Sequence, residues 1–296
     1  MSISSPKYNS LLLYCFLLFL SPLNVQATDD ALLWRITHPQ IQGHSYLFAT
    51  MHSNDPQIKP LLVQVLPYLQ QSKQLMLETL PSGQDEHMLP EKFSSDKFAL
   101  LKVLSKEAFV KFYQTISQYG LSLSEAMQLQ PWMAVYYLGM NRNTGNEDVI
   151  LDIAIYYQAL LYDKMIYPLE TAQEQLSVYY QISQTEQIAL LKETLAETEN
   201  NRNDVNNTLN LYLKGHLTQL LHDSQTMINR NNPATQAFMQ RLIPQRNVRM
   251  LARMLPHLNQ GRIFIAVGAL HLPGKQGLIK LLRQQQFTLT PIPLIH

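Results

Sequence analysis

Cysteine is all but missing from this 296-residue chain, and the one thiol, Cys15, lies in the N-terminal segment. The rest of the chain can therefore form no disulfide, and its stability has to come from a packed core. Charge is scarce as well: Asp, Glu, Lys and Arg make up 15% of the residues, and the formal net charge is +1. A chain so nearly neutral, with no clustered Lys/Arg stripe, lacks the electrostatic footprint that nucleic acid requires, so nucleic acid is not an expected partner. Long apolar runs are absent too. The longest, Leu11 to Leu20, is ten residues, about half of what a membrane-spanning helix needs. There is no repeat of fixed period and no low-complexity tract. What the chain does have is 46% hydrophobic residues, enough at this length for a sizeable globular core.

The N-terminus carries a cation at Lys7, the apolar run just described, a helix-breaking Ser21-Pro22 and small residues at Val25 and Ala27. That layout is expected of a secretory signal peptide over residues 1–27, cleaved after Ala27. Removing it takes away Lys7 and no acid, which leaves 22 basic and 22 acidic residues. The expected product, residues 28–296, is a single exported domain, periplasmic or secreted, with no membrane span after cleavage.

Strands and helices alternate along the remainder. Residues 32–37 and 44–50 are β-prone runs separated by a Pro/Gly turn signal, which predicts a hairpin. A helix with breaks at its prolines follows in IKPLLVQVLPYLQQS. Residues 73–80 form a short apolar strand reaching Glu78, and residues 164–170 another that ends in Glu170. The stretches of about 96–160 and 171–255 are mainly helical by periodicity, with Pro233 and Pro244 as punctuation. The strand RIFIAVG, the helix KQGLIKLLRQQ and the strand FTLTPIPL close the chain. Strands at both ends around a long helical middle predict an α/β fold, a central mixed sheet with a helical insertion. The tyrosine-rich runs AVYYLG, IYYQALLY and SVYYQ read as packing at the boundary of core and surface.

In open α/β sheets the ligand crevice lies beyond the carboxyl ends of the strands. His52 follows one strand in YLFATMH and His271 follows another in IAVGALH, each three residues after a small residue. Glu78 and Glu170 stand at two further strand ends. A single histidine after a strand is most often a hydrogen-bonded structural residue, but two of them with a carboxylate make a site. Two imidazoles and a carboxylate suit a divalent metal with open positions. They equally suit a metal-free arrangement, in which one histidine is general base to a water and Glu78 orients it. Glu170 reads as an acid at a helix N-terminus balancing its dipole, with a supporting role at the site as the alternative.

These residues resemble the TraB/GumN/Tiki family of proposed metallohydrolases over nearly the whole chain, from about Leu32 to Pro293. The closing segment from Arg246-Asn247 through Gly268-Ala269-Leu270-His271 is the most similar. The PLET-x-x-EQL stretch at Pro168 to Leu176 and the strand Leu75-Met76-Leu77-Glu78 also match. The first motif, Ala49-Thr50-Met51-His52, has Ala where the family has Gly, which would be costly if the position required positive φ. The resemblance implies a hydrolase, with metal-dependent peptidase activity on peptide or protein substrates. His52, Glu78, Arg246 and His271 are the catalytic set it implies. His52, Glu78 and His271 would hold a divalent ion (Mn, Co or Zn), and Arg246 would stabilise the oxyanion. A peptide-binding, sequestering protein of the same fold with little catalysis is the reading from a different class, and Ala49 is what would favour it.

Overall fold

The computed structural model describes residues 30–81, 91–139, 150–200, 205–226 and 232–295. The expected signal segment and Cys15 lie outside them. Among the described residues no helix is long and apolar enough to cross a membrane.

The chain opens with β1 (Leu33–His38) and β2 (Ile41–Thr50), an antiparallel hairpin turned at Pro39-Gln40 as the sequence predicts. Helix α1 (Lys59–Gln71) leads into β3 (Gln74–Leu77). The first half of the helical insertion holds α2 (Lys106–Ile116), α3 (Leu123–Gln128), α4 (Pro131–Gly139) and α5 (Leu151–Leu161). After β4 (Met165–Pro168) its second half holds α6 (Ala172–Tyr180), α7 (Gln184–Asn200), α8 (Val205–Leu213), α9 (Leu217–Thr226) and α10 (Pro233–Gln240). Then come α11 (Arg246–Leu258), β5 (Ile263–Gly268), α12 (Leu278–Gln284) and β6 (Thr288–Ile292).

The six strands form one mixed sheet in the order β4-β3-β5-β2-β1-β6. The neighbours β4, β3, β5 and β2 run parallel, while β1 is antiparallel to both β2 and β6. Composition follows position. The interior strands β3 and β5 are apolar on both faces and buried along almost their whole length, as is β2 from Ser45 to Thr50. The edge strands β4 and β6 are more open, β4 with no buried residue and β6 with exposed residues at Thr288, Thr290 and Pro291. Parallel strands covered on both faces require this continuous apolar character.

Buried apolar side chains fall into two clusters. One wraps the sheet and includes Trp34, Phe48, Leu75, Phe264 and Ile265. The other lies within the helical insertion around Phe112, Trp132, Leu191 and Phe238. The tyrosine-rich runs contribute to its margin, with Tyr136 against Tyr179 and Trp132 against Tyr180.

Two expectations about proline need correction. Helix α1 runs unbroken through Pro67. Pro67 is exposed, and so is Val63, whose carbonyl it leaves without a helical donor, so water can satisfy that oxygen. Pro244 does not punctuate the chain either. It sits inside a π-helical turn, Arg241–Gln245, that carries α10 directly into α11. The wide turn absorbs the missing N–H and sets the angle at which Arg246 enters the site.

Because Ile265 is fully buried between β2 and β3, Ile265→Ala is expected to cost about 2–5 kcal/mol in urea unfolding. The exposed Val63→Ala should stay within about 0.5 kcal/mol.

Candidate active site

Parallel pairing decides what meets at the sheet edge. Thr50 lies opposite Gly268, Leu77 opposite Ala266, and Leu77 opposite Pro168 on its other side. The β3–β4 ladder continues past the strands, with Leu169 N–H donating to Leu77 O and Glu170 N–H to Glu78 O, both at 2.7 Å. Four parallel strands therefore end together, and the segments bearing His52, Glu78, Glu170 and His271 leave from the same edge.

Glu78 is the centre of the arrangement. Its Oε1 accepts the Gly268 N–H at 2.5 Å and lies 3.6 Å from His271 Nε2. Its Oε2 accepts from Arg246 Nη2 at 2.7 Å and from Gln175 Nε2 at 3.3 Å. Burial works to raise its pKa, but the charges of His271 (when protonated), Arg246 and His52, with the Gly268 N–H, outweigh it and bring the carboxyl to about 2. Near neutral pH, where His271 is uncharged, most of that work falls to Arg246. Gly268 has φ −54°, so no left-handed backbone requires a glycine there. The requirement is space: a Cβ would stand 3.0 Å from Glu78 Oε1.

Arg246 is buried and spans two carboxylates. Its Nε donates to Glu170 at 2.7 Å, its Nη2 to Glu78, and its Nη1 to Leu242 O at 3.3 Å. Arg249 reaches the other oxygen of Glu170 at 2.8 Å. Arg253 grips both oxygens of Glu174 at 2.6 and 2.7 Å and the Leu169 carbonyl. The dipole-balancing reading of Glu170 is thus corrected. The acid at the start of α6 is Glu174, in a capping box with Thr171, whereas Glu170 is 1% exposed and braces two arginines.

The two histidines are in opposite settings. His271 is buried, and its Nδ1 lies 2.5 Å from Asn247 Oδ1. Asn247 spends its amide N–H groups on the carbonyls of His271 and Gln276, so its oxygen faces the ring and Nδ1 must donate. That leaves the lone pair on Nε2, the nitrogen nearest Glu78. Burial, opposed by the Glu78 charge, lowers the His271 pKa to about 4, so the ring is neutral at pH 7. The His52 side chain is 53% exposed, and its Nδ1 lies 3.0 Å from Asp152 Oδ2. Asp152 raises its pKa to about 9 against the effect of partial burial, so His52 is a cation at pH 7. Ala49 is not among the residues of positive φ, is fully buried and accepts the Tyr212 hydroxyl at 2.9 Å on its carbonyl. Alanine is unstrained at this position.

Of the residues picked out in the sequence, Glu78 is brought against both Arg246 and His271, and His52 lies beside Asp152. Among the described residues no group of three His, Cys, Asp or Glu side chains is placed to hold a metal ion. The roles of Asn247, Arg249, Arg253 and Asp152 escaped the sequence reading. The spacing of Arg246, Arg249 and Arg253, three and then four residues apart on one helical face, was a usable signal for the arginines. Asp152, 100 residues from His52, left none.

The class is an α/β protein with a charged site at the shared carboxyl ends of four parallel strands. Within that class the chain belongs to the TraB/PrgY/gumN family, whose model matches residues 32–291. No curated protein and no solved structure matches the chain.

Two outcomes follow from this geometry. Gly268→Ala should displace the Glu78 carboxylate, and a crystal structure of the variant should show the 2.5 Å contact to the residue-268 N–H lengthened. The buried neutral His271 contributes stability that is complete above its ordinary pKa of 6.5 and is lost as pH falls through about 4. His271→Asn should therefore flatten that part of the thermal-melt profile against pH, and an unchanged slope would contradict the assignment.

Proposed function

We propose that this protein is a hydrolase acting on peptide or protein substrates at the edge formed by His271, Glu78, Arg246 and His52. The observation that carries the reading is the pair of histidines held in opposite charge states beside one ionised buried carboxylate. Titratable pairs pushed apart in this way mark the base and the acid of a reaction. His271 Nε2, neutral and beside Glu78 Oε1, is the atom to take a proton from an attacking water, with Glu78 orienting that water. His52, charged and half-exposed, is the group to stabilise the developing oxyanion or protonate the leaving amine. Arg246 already donates from each of its nitrogens, so its part is to hold Glu78 ionised and in place rather than to receive the oxyanion.

The donor chemistry also fits a divalent ion. A neutral imidazole tied through its other nitrogen and an ionised carboxylate, with donor atoms 3.6 Å apart, are what such an ion requires. His271 and Glu78 would hold it; His52, as a cation, has no lone pair to give and could join them only after losing a proton. When bound, manganese, cobalt or zinc would polarise the scissile carbonyl and acidify a water. The layout of residues 1–27 supports action after export, in the periplasm or outside the cell. Ala49 would have favoured weakened catalysis through a strained backbone, and its backbone does not have positive φ.

Incubation with a mixed peptide pool, with manganese or cobalt and with chelator, read by mass spectrometry, tests the proposal. Wild-type chain should cleave, and His271→Ala should lose about 10²–10⁴-fold, the usual worth of a general base. Equal cleavage by both would sink the assignment, while loss with chelator would identify the ion as part of the site. The pH profile of kcat/KM should rise through about 4 as His271 deprotonates and fall through about 9 as His52 does.

A further inference from the structure

Asp152 is not part of either strand-end motif, yet each of its oxygens lies against a residue at or just past the end of β2. It sits in the first turn of α5, its Oδ1 accepts from Thr50 Oγ1 at 2.6 Å, and its Oδ2 lies 3.0 Å from His52 Nδ1. Thr50 is the last residue of β2 and is 1% exposed, so its hydroxyl is fixed by the sheet. The chain thus fastens a carboxylate to the strand end and aims its second oxygen at the ring two residues further on. An acid in the first turn of a helix has a bland explanation in the dipole, but that explanation does not require the bond from Thr50 or the approach to His52.

We propose that Asp152 is the positioning residue of His52, fixing the ring with Nδ1–H turned inward so that its chemistry runs through Nε2. It stands to His52 as Asn247 stands to His271. Each ring has its Nδ1 within 3.0 Å of an oxygen on a helix that begins at the site edge. The two holders differ in charge, with an amide behind the buried ring and a carboxylate behind the half-exposed one. A carboxylate behind an imidazole fixes its tautomer and strengthens its basicity, and losing such a partner typically costs about 10- to 100-fold in function. The kinetic part of this inference rests on the hydrolase reading, and the part concerning ring orientation does not.

The test uses the full chain with Asp152→Asn, Asp152→Glu and Thr50→Val, read by nitrogen-detected NMR of the His52 ring, assigned by its loss in His52→Gln, and by peptide cleavage. At a pH high enough to make the ring neutral, the wild type should keep its remaining proton on Nδ1. In Asp152→Asn it should move towards the ordinary mixture of tautomers, and kcat should fall about 10- to 100-fold with KM within about twofold. Asp152→Glu should recover part of both. Thr50→Val, which frees one oxygen of Asp152 without removing the carboxylate, should shift both in the same direction by less, and it serves if Asp152→Asn does not fold. A ring spectrum and kcat unchanged in Asp152→Asn would overturn the proposal. If the wild type cleaves nothing, the hydrolase reading fails and the ring spectrum alone decides the role of Asp152.

Discussion

Everything at this site hangs on one buried guanidinium. Arg246, Glu78 and Glu170 are 5%, 7% and 1% exposed, and none could remain charged there alone. Burial works against the charge of Arg246, and Glu78 and Glu170 more than restore it. Taking charges out of water costs several kcal/mol per ion unless each is paired and hydrogen-bonded. Here the pairing is close to complete, because Glu170 has Arg249 on its second oxygen and Glu78 has Gly268 and Gln175. The guanidinium therefore joins β3 and β4 at their carboxyl ends to the start of α11. The next residue, Asn247, sets His271. One helix N-terminus, delivered by the π turn at Arg241–Gln245, thus fixes both the carboxylate and the imidazole.

The same constraint separates the two histidines. His271 is on the buried side of the Glu78 carboxylate, with the Asn247 amide behind it, and it stays neutral. His52 stands where the sheet edge opens to solvent, with the Asp152 carboxylate behind it, and it stays charged. The strand register contributes to this difference. Thr50, not Ala49, pairs with Gly268, so the two similar motifs are offset by one residue and deliver their histidines to different depths. A reaction that needs a base and an acid at one edge could use that difference directly.

How much could be read from sequence depended on how local the cause was. The apolar runs of β2, β3 and β5 announced buried strands, and the rule that sites gather beyond strand ends then placed His52, Glu78, Glu170 and His271 together. Prolines misled, because their effect depends on which face of a helix they occupy. Pro67 is exposed and harmless, and Pro244 is accommodated by a wide turn that periodicity does not reveal. Gly268 shows in the sequence only as a small residue before His271, and what its missing Cβ provides is room for the Glu78 carboxylate. Asp152 could not be found, since its contacts to Thr50 and His52 cross about 100 residues and depend on where α5 lands.

The claim that Arg246 and Glu78 act as one unit is tested most directly by a double-mutant cycle in urea unfolding, using Arg246→Met, Glu78→Gln and the pair. The account predicts that Arg246→Met alone costs about 3–5 kcal/mol, because it strands two buried carboxylates. It also predicts that the double variant is more stable than the sum of the singles requires, by at least about 1 kcal/mol. Additive losses, within about 0.5 kcal/mol, would show that the two side chains are independent and that something other than this bridge holds the site together.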